Sequence, residues 1–345
     1  KREYDKWWDG TSDRRARLER WNDLMENIIR DVDLPFEGAS QVHIPVVAIY
    51  AKVYHSVQRR SIMGSGQLWY LDTLDEYLED FIPDIEEAMN YKARAEWNTF
   101  EALSDGFHNA NRDDLGVIQF SYRFDTEDGE ESLFITGPED LDRELPDPQA
   151  SGLSLKEWAE YQIQAQQASE EDPFEIPTQF ERETYRGPYG EIIELADFVT
   201  FPHTAKDIDR RNCKAYGKKF TATKEDLLDG VESGMYYEDE VKQLVRGAGS
   251  KPSSYQMSKD FAAGINRPGK SNEYDLIEII YSAKLRGKEL KYIFTYSTEK
   301  DILIGVRPYI ICSESYVLLR IEKKPNQLVG GSVCGGLSDL NDEID

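Results

Sequence analysis

Apolar positions in the first third of the chain recur at helical spacing. Leu18, Trp21, Met25, Ile28 and Ile29 stand three, four and seven residues apart. That spacing puts them on one helix face, behind a cap at Thr11 or Ser12. Leu34-Pro35-Phe36-Glu37-Gly38 ends the run, because Pro removes a donor and Gly permits a turn. Pro45 suits a first helical turn, and Val46, Ile49, Tyr50, Val53 and Val57 follow as a second apolar stripe until Gly64-Ser65-Gly66. A third helix restarts after Pro83. Ile85, Met89, Trp97, Phe100, Leu103 and Phe107 give it one apolar face over about six turns. Trp97 is expected inside the core, its truncation costing about 3–5 kcal/mol.

The period changes near Asp113. Val117 to Tyr122 has strand composition, and Glu131 to Thr136 reads as its partner, with Asp128-Gly129 as the hairpin turn. Ser154 and Glu157 have capping-box spacing and open a helix with Trp158, Tyr161 and Ala165 on its apolar side. Gln179–Tyr185 and Glu191–Leu195 read as a hairpin around residues 186–190, and Phe198–Pro202 continues extended. Thr223-Lys224-Glu225-Asp226 opens a short helix with Leu227 and Leu228 inward. Residues 247–272, rich in Gly, Ser, Lys and Pro, read as an exposed loop. Tyr274–Leu285 and Glu289–Thr298 pair across Arg286-Gly287-Lys288, and Ile302–Val306 and Tyr316–Ile321 add further strands. The fold class is therefore α+β: N-terminal helices followed by antiparallel β hairpins.

Charge then narrows the function. The chain has 345 residues, 41 basic and 66 acidic, for a net charge of −25. Such a surface does not cling as a whole to nucleic acid or an anionic membrane, although an acidic channel would let DNA slide past. Residues 125–183 hold 18 acidic against 3 basic side chains, an acidic insertion expected to be a solvated outer face. No apolar run is long enough to span a bilayer. Cys213, Cys312 and Cys334 are odd in number and far apart, so a reducing assembly compartment is the default. The chain starts at Lys1 without an apolar signal region and stops at Asp345 inside what reads as the start of a helix, so both ends look cut.

Several motifs invite chemistry. Gly264-Ile265-Asn266-Arg267-Pro268-Gly269-Lys270-Ser271 matches the phosphate-loop pattern, in which loop amides cradle phosphates and Ser holds magnesium. That loop needs a buried strand before it and a helix after it. Here the preceding segment is polar and Tyr274–Tyr281 reads as a strand, so an exposed loop is the better reading. Adjacent acids at Glu79-Asp80, Glu86-Glu87, Asp113-Asp114 and Glu170-Glu171 do not single out a hydrolytic pair. His43, His55, His108 and His203 are scattered, without a nucleophile placed beside them or zinc-ligand spacing. Arg14, Arg15, Arg17 and Arg20 read as a solvated helix face opposite Leu18. The paired glycines Gly330-Gly331 and Gly335-Gly336 read as a bend before a helix. No catalytic residue, metal ligand or cofactor site is assigned.

Taken in order, four segments resemble the portal proteins (head–tail connectors) of tailed bacteriophages. They are the Arg-rich, Trp-containing N-terminal helix with Leu34 to Pro45; Asp197 to Ile208 before the Thr223-capped helix; the hairpin Tyr274 to Thr298 with Arg307-Pro308-Tyr309; and Gly335 to Asp345. The acidic insertion has no counterpart in that pattern. The resemblance implies a portal wing, with the stem and clip absent from this chain. It divides the chain into a helical part (1–112), a mixed region with the insertion (113–200), a β-rich part with a short helix (201–329) and the lead-in to the stem (330–345). It further implies a homo-oligomeric ring, a dodecamer, at one capsid vertex of the virion, assembled in the host cytoplasm. Double-stranded DNA would be packaged and ejected through this ring. The ring would meet the major capsid protein, dock the terminase large subunit and later a tail adaptor, use no cofactor and perform no bond chemistry. Two other readings share parts of the sequence: a P-loop nucleotide hydrolase resting on Gly264–Ser271, and an acidic capsid-associated adaptor without a ring.

Overall fold

The computed structural model describes residues 1–26, 28, 45–73, 77–135, 155–166, 168, 174–209, 212–246, 273–285, 288–309 and 315–344. The phosphate-loop pattern, the 247–272 loop, the Leu34–Ile44 element with His43, Ser154, Glu170-Glu171, Arg286-Gly287 and Cys312 lie outside the described residues. The chain forms two compact units, Lys1–Ser121 with Tyr189–Asp345, and Tyr122–Pro188. The class is mixed helix and antiparallel sheet, as expected.

In the larger unit, α1 (Arg2–Gly10) and α2 (Ser12–Glu26) meet at Thr11. Its Oγ1 donates to the Trp7 carbonyl at 2.8 Å and accepts from Arg15 at 2.7 Å. Leu18, Trp21 and Met25 are buried, as their spacing predicts, but α2 stops at Glu26, so Ile28 lies beyond it. The next stripe is a correction. On α3 (Val46–Met63) the buried residues are Val47, Ala48, Ala51 and Met63, while Ile49, Tyr50, Val53 and Val57 are 52–59% exposed. This helix is apolar on two sides. Its neighbours α2, the helix over Thr99–Asp113 and the C-terminal helix take the side where Ala48 and Ala51 allow close approach.

The expected six-turn helix after Pro83 is also corrected. A 3-10 turn, Glu79–Phe81, leads into α4 (Ile82–Ala95), and α5 (Thr99–Asp113) starts anew. Asn98, at φ 54°, breaks the helix in the left-handed region that Asn tolerates. Gly190 holds the break from outside. Its N–H donates to the Trp97 carbonyl at 3.0 Å, and its carbonyl accepts from Asn98 Nδ2 at 2.9 Å. The break leaves Trp97 half-buried in a connection and Ile85 on the solvent side.

Two predicted hairpins become two long strands. β1 (Gly116–Ile135) runs through Asp128-Gly129, and β2 (Phe174–Ile193) runs through residues 186–190. Each finds its partner in the other rather than in itself, in a three-stranded sheet with β1 at its centre. The remaining strands are β3 (Phe198–Phe201), β4 (Ala215–Thr223), β5 (Glu273–Leu285), β6 (Lys288–Ser297), β7 (Ile302–Pro308) and β8 (Tyr316–Leu319). β3 to β7 form one antiparallel sheet in sequence order, with the β5–β6 hairpin where the alternation predicts it. β8 leaves that sheet and pairs with the start of β1, Gly116 opposite Leu319. The helix of the acidic stretch, α6 (Leu155–Ala165), lies in the smaller unit with Ala165 buried.

The five-stranded sheet is covered on both faces, which explains why Leu276 and Ile277 are adjacent and both buried. Leu276 and Tyr274 pack with Leu227 of α7 (Lys224–Glu232) and with Val241 and Leu244 of α8 (Glu238–Val245). Ile277 packs with Val199 and Trp7 of α1. The α7 start is the expected cap in full. Thr223 Oγ1 accepts from Asp226 N at 3.2 Å, and Asp226 Oδ2 accepts from Thr223 N at 2.8 Å. Leu228, expected inward, is exposed, because consecutive helix positions sit about 100° apart. The largest core joins α2, α3, Phe198, Tyr216, Ile280, Tyr316 and Cys334 of α9 (Val333–Ile344).

Candidate functional site

Side chains with chemical potential are placed mostly in structural roles. His55 and His108 come together from α3 and α5, with ring centroids 5.5 Å apart and edge-on. His55 Nε2 lies 3.0 Å from the Ser104 carbonyl and 3.3 Å from Ser104 Oγ. A carbonyl only accepts, so Nε2 carries the proton and offers no lone pair to that hydroxyl. Sequence reasoning missed Ser104, which sits 49 residues from His55, but the geometry orients a ring rather than activating a nucleophile.

Asp113 and Asp114 end α5. Asp113 is buried against Arg112 with two contacts of 2.7 Å, and burial raises its pKa against the pull of that guanidinium. Asp114 takes φ 69°, and its carbonyl accepts from Gly330 N at 2.9 Å, which fixes the approach to α9. Gly330-Gly331 precede α9 as expected, and a Cβ on Gly330 would come 2.4 Å from the Glu322 carbonyl oxygen, but Gly335-Gly336, expected in the same bend, lie inside α9.

The arginine face of α2 is not wholly solvated, which corrects the expectation. Arg17 and Arg20 are exposed, but Arg14 and Arg15 are half-buried. The Arg15 guanidinium lies 3.6 Å over the Trp8 ring. Burial, with Arg15 and Arg17 nearby, lowers the Arg14 pKa to about 10. Among the described residues no group of three or more His, Cys, Asp or Glu side chains could hold a metal ion. No described helix is long and apolar enough to cross a membrane. A cleft of about 740 Å³ lies beside α1, lined by Tyr4, Phe201, Ile277, Ile279 and Phe294 among others, and its walls are mainly apolar.

The most distinctive surface is elsewhere. The outward stripe of α3 is matched by a second apolar surface at the turn before α4, where Tyr77, Leu78, Phe81 and Ile85 are exposed. Monomeric surfaces carry scattered apolar residues, whereas contiguous ones mark places for partners. The segment that leads to this turn is anchored: Leu68 N and Trp69 N both donate to Asn90 Oδ1, and Leu71 N donates to Glu86 Oε2. The α3 stripe is visible in the sequence as apolar residues at helical spacing, which does not say whether it faces the core or solvent. The second surface was missed, although Tyr77-Leu78-Glu79-Asp80-Phe81 mixes large apolar and acidic residues in a way no core helix does. Neither a family model nor a curated protein matches this chain.

Proposed function

We propose that this chain is a subunit of a portal-type ring, the passage through which double-stranded DNA enters and leaves a phage capsid. The reading is carried by the order of the four segments that resemble that family. Three of them have the forms that the resemblance implies: the extended β3 element ahead of a threonine-capped α7, the β5–β6 hairpin, and a helix over Val333–Ile344. The apolar helix faces support it further, because an assembling subunit has surfaces of this kind to cover. An acidic chain suits a passage whose cargo must not bind, since each phosphate contact would add affinity through counterion release.

In this reading the subunit does no bond chemistry. Its dodecameric ring sits at one capsid vertex of the virion after assembly in the host cytoplasm. The ring contacts the major capsid protein, docks the terminase large subunit during packaging and receives a tail adaptor afterwards. Electron microscopy of the intact protein tests this: rings with a central hole are expected. A chain that stays monomeric at assembly concentrations overturns it.

A further inference from the structure

The two exposed apolar faces carry opposite charge. On α3 the stripe runs beside Lys52, Arg59 and Arg60, all exposed, and the helix has no acidic residue from Val46 to Met63. On the other surface Tyr77 is 88% exposed, Phe81 58% and Ile85 44%. Glu79, Asp80, Asp84, Glu86 and Glu87 alternate with them along the chain, with no basic residue from Glu79 to Glu87. Among the described residues, Lys52, Arg59 and Arg60 have no ion-pair partner, and neither do Asp80, Asp84 and Glu87.

We infer that the α3 face of one copy of this chain seats on the 77–87 face of a second copy. Apolar burial supplies the attraction, and the charges set partner choice and register. The same charges decide the symmetry. Two α3 faces would bring six cations together, and two 77–87 faces would crowd their acids, so a twofold contact of like faces is opposed by repulsion. A contact between unlike faces is heterologous, and its repetition closes a ring or extends a filament. The inference rests on the reading that copies of this chain assemble, and it names the surfaces that meet.

The test uses charge reversal in the whole chain, read by light scattering and mass photometry at low and high salt. One variant carries Lys52→Glu, Arg59→Glu and Arg60→Glu; the other carries Asp80→Lys, Asp84→Lys and Glu87→Lys. All six positions are exposed, so circular dichroism should match the unaltered chain. Each variant alone is expected to associate at least about tenfold more weakly. An equimolar mixture should recover assembly, because the altered faces of the two variants then meet with opposite charge, as do their unaltered faces. Unimpaired assembly of either variant, or a mixture that stays monomeric, overturns the inference while rings of the unaltered chain leave the proposed function standing. If the unaltered chain itself does not associate, the proposed function falls and takes this pairing with it.

Discussion

Asn90 holds the main chain of Trp69 from both sides: Oδ1 accepts from Trp69 N at 3.0 Å, and Nδ2 donates to the Trp69 carbonyl at 3.0 Å. The same side chain accepts from Leu68 N and donates to the Glu86 carbonyl at 2.9 Å. One buried amide thus ties the connection after α3 to α4, and so links the two apolar faces through the chain. Asn90→Ala leaves these backbone groups without their partner and should cost about 1–3 kcal/mol in urea unfolding. Asn90→Asp should not rescue it, because a carboxylate cannot donate to the Trp69 and Glu86 carbonyls. An unchanged midpoint for the Ala variant would show that the clamp carries no stability.

The left-handed break at Asn98 gives a second expectation. Asn98→Val forces a β-branched residue to φ 54° and removes the bond to Gly190, so a loss of about 1–3 kcal/mol is expected in thermal melting. Asn98→Gly loses the same bond but accepts the backbone conformation, and should cost less than the Val variant.

Trp7 and Trp97 separate burial from hydrophobicity. Trp7 is 1% exposed between α1 and the sheet, so Trp7→Ala should cost about 3–5 kcal/mol. Trp97 lies half-buried in the α4–α5 connection, and its Ala variant should fall below that range. Equal losses in chemical denaturation would contradict this placement.

His108 makes stability depend on pH. Burial, then Arg112 and His55, hold its pKa below the ordinary 6.5, with Asp105 and Glu26 pulling weakly the other way. The unfolded chain therefore binds more protons than the folded one as pH falls below about 6.5. The contribution is fully present above that value and is lost as pH falls toward the lower folded pKa. His108→Gln should flatten the slope of unfolding free energy in this window, and a slope identical to the unaltered chain's would refute the assignment.

Cys334 should be silent to thiol reagents. Burial, with Asp113 and Asp114 nearby, pushes its pKa up to about 12, and burial raises that of Cys213 as well. The reactive species is the thiolate. In a Cys312→Ser background, labelling at pH 8 should be negligible in the native state and fast in denaturant.

The fold class, the Leu18-Trp21-Met25 stripe of α2, the Thr223 cap and the β5–β6 hairpin are legible in the sequence alone. Each depends on neighbours within a few residues, where period, capping chemistry and turn composition act directly. Tertiary structure decided the rest, because the deciding partners are remote. Gly190 pairs with Asn98 across 92 residues, and with Trp97 beside it, and so divides one apparent helix into α4 and α5. β1 and β2 pair with each other, so the turn signals inside them go unused. On α3 the choice between two apolar sides fell to the one whose alanines admit α2, α5 and α9. Periodicity finds an apolar stripe, but only packing says whether that stripe meets the chain's own core or waits for a surface outside it.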